Sequence, residues 1–187
     1  MITKEEIEKL WREVSFECYR MKISAYVHTP FRIEEVEIYP DVKVPKKRSV
    51  LIPVLSYINV NLITDDEYTL NTFKQIRKEL SNISNEVTEK GKKYLEACLH
   101  ILDRILKVYG SKDADIYAVI TALAYGQYFN DVIDLLKEHV PTKTAKRLDE
   151  LSEEFFNTLK RLCALSYKKM KESKTRSKGI YKLIIDI

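Results

Sequence analysis

The chain has 187 residues, enough for one large domain or for a bundle carrying a small module, and enough to bury a sizeable core. Its 32 Lys and Arg almost balance 28 Asp and Glu, for a net charge of +4. No apolar run approaches the roughly 18 residues of a membrane span, and Met1–Lys9 is too polar and acidic for a signal peptide, so an intracellular, cytoplasmic protein is expected.

Thr3–Glu13 opens with TKEE, a capping box in which Thr3 caps the helix and Glu6 reaches back. Ile7, Leu10, Trp11 and Val14 then share one helical face. From Phe16 the pattern alternates. Met21, Ile23, Ala25 and Val27 interleave with Lys22, Ser24, Tyr26 and His28, which is the period of a strand. Arg32–Tyr39 alternates likewise, with Ile33 out of phase, and Val42–Val44 and Ser49–Ile52 are two more short extended pieces around the basic turn PKKR. Pro30, Pro40, Pro45 and Pro53, four of the five prolines, crowd this region and forbid long helices in it. A β-rich module this small must lean on the helices that follow.

Pro53 opens a short apolar helix within Pro53–Ile63. Thr64, Asp65 and Asp66 then cap a helix whose inner face takes Tyr68 or Thr69, with Phe73, Ile76, Leu80 and Ile83. Ser84–Tyr109 reads as the next helix, with Val87, Tyr94, Leu95, Cys98, Ile101, Leu102, Ile105 and Tyr109 inward and Gly110 ending it. Asp113–His139 is apolar nearly all round: Ile116, Val119, Ile120, Leu123, Phe129, Val132, Ile133 and Leu136 keep helical spacing, and Tyr and Ala fill the remaining face. Such a helix is predicted to be the central rod of a bundle, stopped by Pro141. Thr142–Met170 has a narrow stripe, Leu148, Leu151, Phe155, Leu159, Leu162 and Leu165, and so an outer helix is expected. Residues 173–187 form a basic tail and a β-prone end, IYKLIIDI, suited to joining a sheet edge or a partner.

The predicted fold is therefore α+β, mainly α: a helix and small β-rich module over 1–63, a four-helix, largely antiparallel bundle over 64–172, and the tail over 173–187.

The sequence offers little for catalysis. Glycines stand alone at Gly91, Gly110, Gly126 and Gly179, with no phosphate-binding loop, and no serine lies in a GxSxG elbow. Cys18, Cys98 and Cys163 are dispersed, as are His28, His100 and His139, so no zinc site is expected; Cys98 and Cys163 read as small buried hydrophobes. Asp131 and Asp134 share a helix face but lack the Glu-x-x-His helix that a carboxylate metal site would need. No spacing supports an enzyme assembled around His100 and Asp103. The expectation is a protein without cofactor or metal that works by binding other proteins.

ALAYGQYFNDVIDLLKEH (Ala122–His139), and after it TAKRLDELSEEFFNTLKRL with its RLDE and FFNT run across Arg147–Thr158, resemble the last helices of a GINS subunit, one part of the four-part replication assembly. KVPKKRSVLIPVLSYINVNLITDD (Lys43–Asp66) resembles that family's small β-module, and the order matches the subunit class with the B domain before the helical A domain. The resemblance covers roughly Phe31–Lys171 and rests mostly on hydrophobic spacing. Val54–Leu55 replaces the usual tryptophan, the helix-end basic cluster is not evident near Tyr109, and neither the N-terminal helix nor IYKLIIDI belongs to the family pattern.

The resemblance implies a non-enzymatic archaeal scaffold, from a thermophile by its Lys, Glu and Ile content. It would form a 2:2 tetramer with a second GINS subunit type, on which the MCM helicase and a RecJ-related protein dock. Pro53, Leu55, Tyr57, Tyr125, Tyr128 and Phe156 would then be interface residues, since aromatic anchors dominate such surfaces. Phe129 and Phe155 read more readily as intrachain core. The alternative is a stand-alone nucleic-acid-binding protein, using Lys46, Lys47 and Arg48 of the turn and Lys174, Arg176 and Lys178 of the tail, with Tyr167 and Tyr181 as stacking rings. Lys168–Lys178 holds six basic residues and one acidic, against 26 and 27 in the rest of the chain. Such a run also suits a solvated helix end.

Overall fold

The structure is a computed structural model that describes residues 2–13, 35–45, 67–109 and 126–172, with the backbone alone at 109, 163, 166–167 and 169–172. The strands expected at 21–27 and 49–52, the helix expected from Pro53, the Thr64–Asp66 caps and the C-terminal IYKLIIDI lie outside the described residues.

Helix α1 covers 4–13. The Glu6 backbone N–H donates to Thr3 Oγ1 at 3.1 Å, so Thr3 caps as its position predicts. The Glu6 carboxylate reaches back toward the Thr3 backbone N–H, which helps to lower its pKa, as the capping box predicts. The same carboxylate also accepts from Lys168 Nζ of the last helix at 2.6 Å, its strongest partner because that donor is charged.

Strands β1 (Glu35–Tyr39) and β2 (Val42–Pro45) form an antiparallel hairpin, with Val36 opposite Val44 and Glu37 opposite Lys43. Pro40 presets one turn position, and Asp41 takes the left-handed conformation at φ 59° that an Asp tolerates better than most residues. The register shifts between Glu37 and Tyr39, a bulge beside the turn. Ile38, Val42 and Val44 are buried, whereas Glu35, Glu37 and Lys43 face out.

The helical part comprises α2 (Glu67–Asn82), α3 (Lys92–Tyr109), α4 (Phe129–Lys137) and α5 (Thr142–Glu172). Each packs on two others, in the closed ring α2–α3–α4–α5–α2. On α2 and α5, Glu79 meets Arg147, Phe73 meets Phe155 and Tyr68 meets Arg161, so the two run antiparallel. Lys137 with Asp149 and Asn130 with Ser152 show the same for α4 and α5. Phe129 stacks on Phe155 with centroids 4.1 Å apart, and Phe73 lies 5.3 Å from Phe155, so three fully buried rings join three helices at the centre.

Two expectations change. First, the helix expected over Ser84–Tyr109 begins only at Lys92, after 3₁₀ turns at Ser84–Glu86 and Glu89–Gly91. This connection is docked on the end of α4: the Thr88 N–H donates to the His139 carbonyl at 3.0 Å, and Gly91 has no room for a Cβ against His139. Second, the rod expected over Asp113–His139 is interrupted by a turn at Gln127 and Tyr128, after Gly126. Glycine is a weak helix former, and the Val132 N–H restarts the helix by donating to the Tyr128 carbonyl. Residues 110–125 lie outside the described residues. Among the described elements the hub is α3, which carries α2, α4 and both strands. The helix before Pro141 ends at Lys137, and Pro141 also opens α5, its carbonyl accepting from the Ala145 N–H at 2.9 Å.

Candidate functional site

The narrow stripe of α5 buries Leu148, Leu151, Phe155, Leu159 and Leu162, and the helix therefore turns Glu150, Glu153, Glu154 and Asn157 outward. The same period on α2 settles the choice left open there. Thr69 is buried with Phe73, Ile76 and Leu80, and Tyr68 is left 61% exposed, the one large hydrophobic side chain so exposed among the described residues.

Where α1, α2 and α5 meet, these outer faces enclose an open cleft of about 610 Å³. Ile2, Lys4, Ile7 and Glu8 supply the α1 wall, Tyr68 and Thr72 the α2 wall, and Glu150, Glu153, Glu154, Asn157, Thr158, Lys160 and Arg161 the α5 wall. The Arg161 guanidinium lies 4.7 Å over the Tyr68 ring, a cation–π contact that orients the exposed ring across the cleft.

Ion pairs shape its margins. Lys160 Nζ donates to Glu8 Oε1 at 2.6 Å and also lies 5.9 Å from the Trp11 ring centre. Lys168 pairs with Glu6. Each lysine's hydrogen bond holds its carboxyl partner below the usual carboxylate range, against the opposing effect of burial. Arg147 forks onto Glu79 at 2.7 and 2.8 Å and also holds Glu150 at 2.6 Å. Glu153 and Glu154 are left facing solvent.

The two threonine hydroxyls of the cleft bond within their own helices, Thr72 Oγ1 donating to the Tyr68 carbonyl at 2.9 Å and Thr158 Oγ1 to the Glu154 carbonyl at 2.7 Å. Neither described histidine lines it. His100 packs against Tyr39, and His139 stacks on Tyr94. Asp103 is turned to Arg77, which donates to both its oxygens, so His100 and Asp103 do not converge. Among the described residues no group of three or more His, Cys, Asp and Glu could hold a metal ion. No described helix is long and apolar enough to cross a membrane.

Of the residues expected at a protein interface, two are described. Tyr128 is only 7% exposed, leaving little ring for a partner. Phe156 is partly buried and meets Trp11 of α1 edge-on, with centroids 6.1 Å apart and planes at 82°. Pro53, Leu55, Tyr57 and Tyr125 lie outside the described residues, as do Lys46, Lys47, Arg48, Lys174, Arg176 and Lys178. Phe129 and Phe155 are core, and Cys98 is a fully buried thiol whose pKa burial pushes up. Sequence reasoning missed the cleft because its walls lie on α1, α2 and α5, far apart along the chain. The one local signal was the Tyr68/Thr69 ambiguity.

No family model, curated protein or solved structure matches the chain.

Proposed function

We propose that this chain is a non-catalytic scaffold subunit of a GINS-type replication complex, joining a second subunit type in a 2:2 tetramer that supports the MCM helicase and receives a RecJ-related protein. The observation that carries the reading is the order of parts. A small hairpin precedes the antiparallel helical ring in the chain and lies on its α3, the order the sequence resemblance implies. Tyr39 and Lys93 tie the two parts together, the Tyr39 hydroxyl donating to Glu96 Oε2 at 3.3 Å and Lys93 Nζ to the Asp41 carbonyl at 3.2 Å.

The resembling RLDE–FFNT run is the half of α5 that closes the ring. Leu148 and Phe155 fill the core, while Arg147 and Asp149 pair with Glu79 of α2 and Lys137 of α4. That leaves the outer face of α5, with the cleft, as surface for partners.

The test is affinity isolation of the tagged chain from its own cells, with bound proteins identified by mass spectrometry. A second small helical subunit recovered together with MCM subunits is the expected outcome. Recovery of nucleic acid alone, released steeply by salt, would replace this reading with the nucleic-acid-binding one.

A further inference from the structure

Helix α1 is attached differently from the rest of the molecule. The ring helices meet through fully buried side chains: Phe73, Ile76 and Leu80 on α2, Phe129, Ile133 and Leu136 on α4, Phe155 and Leu162 on α5. From α1 only Leu10 is buried, with Ile7 and Trp11 partly so. Beside these, the described contacts of α1 with α5 include two accessible ion pairs. Glu6 pairs with Lys168, and Glu8 with Lys160, each at 2.6 Å, on side chains 16–38% exposed. Lys160 also sits by the Trp11 ring, whose edge-on contact covers Phe156. Ion pairs this accessible are each worth roughly a two- to fivefold bias at most and weaken with salt. Buried aromatic and aliphatic contacts do not.

We propose that α1 is a releasable strap: it leaves α5 under conditions in which the helical ring stays folded, uncovering Phe156 and removing one wall of the cleft. Among the described contacts, release exposes Leu10, Ile7, Trp11 and two ion pairs to solvent and leaves Phe73, Phe129 and Phe155 in place. It exposes the Phe156 ring beside Lys160, one turn on along α5. The strap stands independently of the GINS reading, since it follows from contacts within one chain.

Trp11 is the chain's one tryptophan, so its emission reports on the strap alone. In a urea series followed by Trp11 emission and by far-ultraviolet circular dichroism, the Trp11 transition is expected to come first. In Glu6→Lys with Glu8→Lys, acrylamide quenching of Trp11 should rise several-fold in native buffer with the helical signal nearly unchanged. Adding Lys160→Glu and Lys168→Glu to the same chain should return it. Should the reversed variant fail to fold, a sodium chloride titration of the unaltered protein takes its place, and quenching should rise as screening shortens to about 3 Å near 1 M. Coincident urea transitions, or Trp11 equally protected in the reversed variant and flat in salt, would overturn the proposal.

Discussion

Gly91 and His139 touch so closely that a Cβ at residue 91 would overlap the Cβ and Cγ of the histidine. With the Thr88 N–H bound to the His139 carbonyl, and Thr88 Oγ1 3.1 Å from His139 Nδ1, this contact fastens the α2–α3 connection to the end of α4. Gly91→Ala should therefore destabilise the protein by about 1–3 kcal/mol, the usual range for overpacking a buried site. The check is the urea midpoint at unchanged slope; an unshifted midpoint would mean that the α4 end yields freely.

Phe155 is the ring that both Phe73 and Phe129 contact. Removing it opens a cavity where three helices meet, so Phe155→Ala should cost about 3–5 kcal/mol. Denaturant unfolding measures this directly, and a loss below 1 kcal/mol would mean that the centre collapses around the gap.

Arg147→Ala should cost much less, about 0.2–1 kcal/mol, although Arg147 makes hydrogen bonds to two glutamates. Its side chain is 44% exposed, so water and salt screen the pairs. The loss should shrink further between low and high salt, which separates it from the salt-insensitive Phe155 effect.

Cys98 is fully buried and its thiol pKa is raised by that burial. Thiolate is the reactive form, so Cys98 should be alkylated only through opening of the α3 core. Peptide mass spectrometry after a maleimide pulse should find Cys98 unmodified in native buffer and modified in step with unfolding. Rapid native labelling would contradict the packing of α3.

Acid should also loosen α1. Lys168 and Lys160 lower the pKa of Glu6 and Glu8 in the folded state, with Lys4 and Arg12 adding to the field at Glu8. A depressed carboxylate stabilises docking above its unfolded pKa of about 4.3 and loses that contribution as the pH falls through the folded value. Trp11 quenching should thus be flat from pH 7 to about 5 and rise below about 4.3, with Glu6→Gln and Glu8→Gln together removing the pH step.

The amphipathic helices were legible wherever the apolar stripe was narrow. The α5 stripe from Leu148 to Leu162 and the α2 stripe from Phe73 to Leu80 are buried as their spacing predicts, because one dry face fixes the rotation of a helix. The hairpin was legible from the alternation across Glu35–Tyr39 and Val42–Val44. What failed to show locally was set by contact between distant elements. Helical spacing continues through Val87, yet the chain there is pinned by His139, some fifty residues on. TKEE reads as a capping box, but the second partner of Glu6, Lys168, lies on a distant helix that the motif says nothing about. The wide apolar surface around Phe129 suggested a continuous rod, because periodicity counts faces and carries little information about a turn at Gln127–Tyr128. The cleft was illegible for the same reason: Tyr68 and Arg161 become neighbours only once the ring closes.

Whether this chain is a scaffold subunit turns first on its mass in solution. Light scattering should be run on the 22.0 kDa chain alone and after co-expression with a GINS-type subunit of the opposite domain order. The scaffold reading requires a stable assembly with two copies of each chain. A 22.0 kDa monomer that ignores the second subunit at micromolar concentration would contradict it.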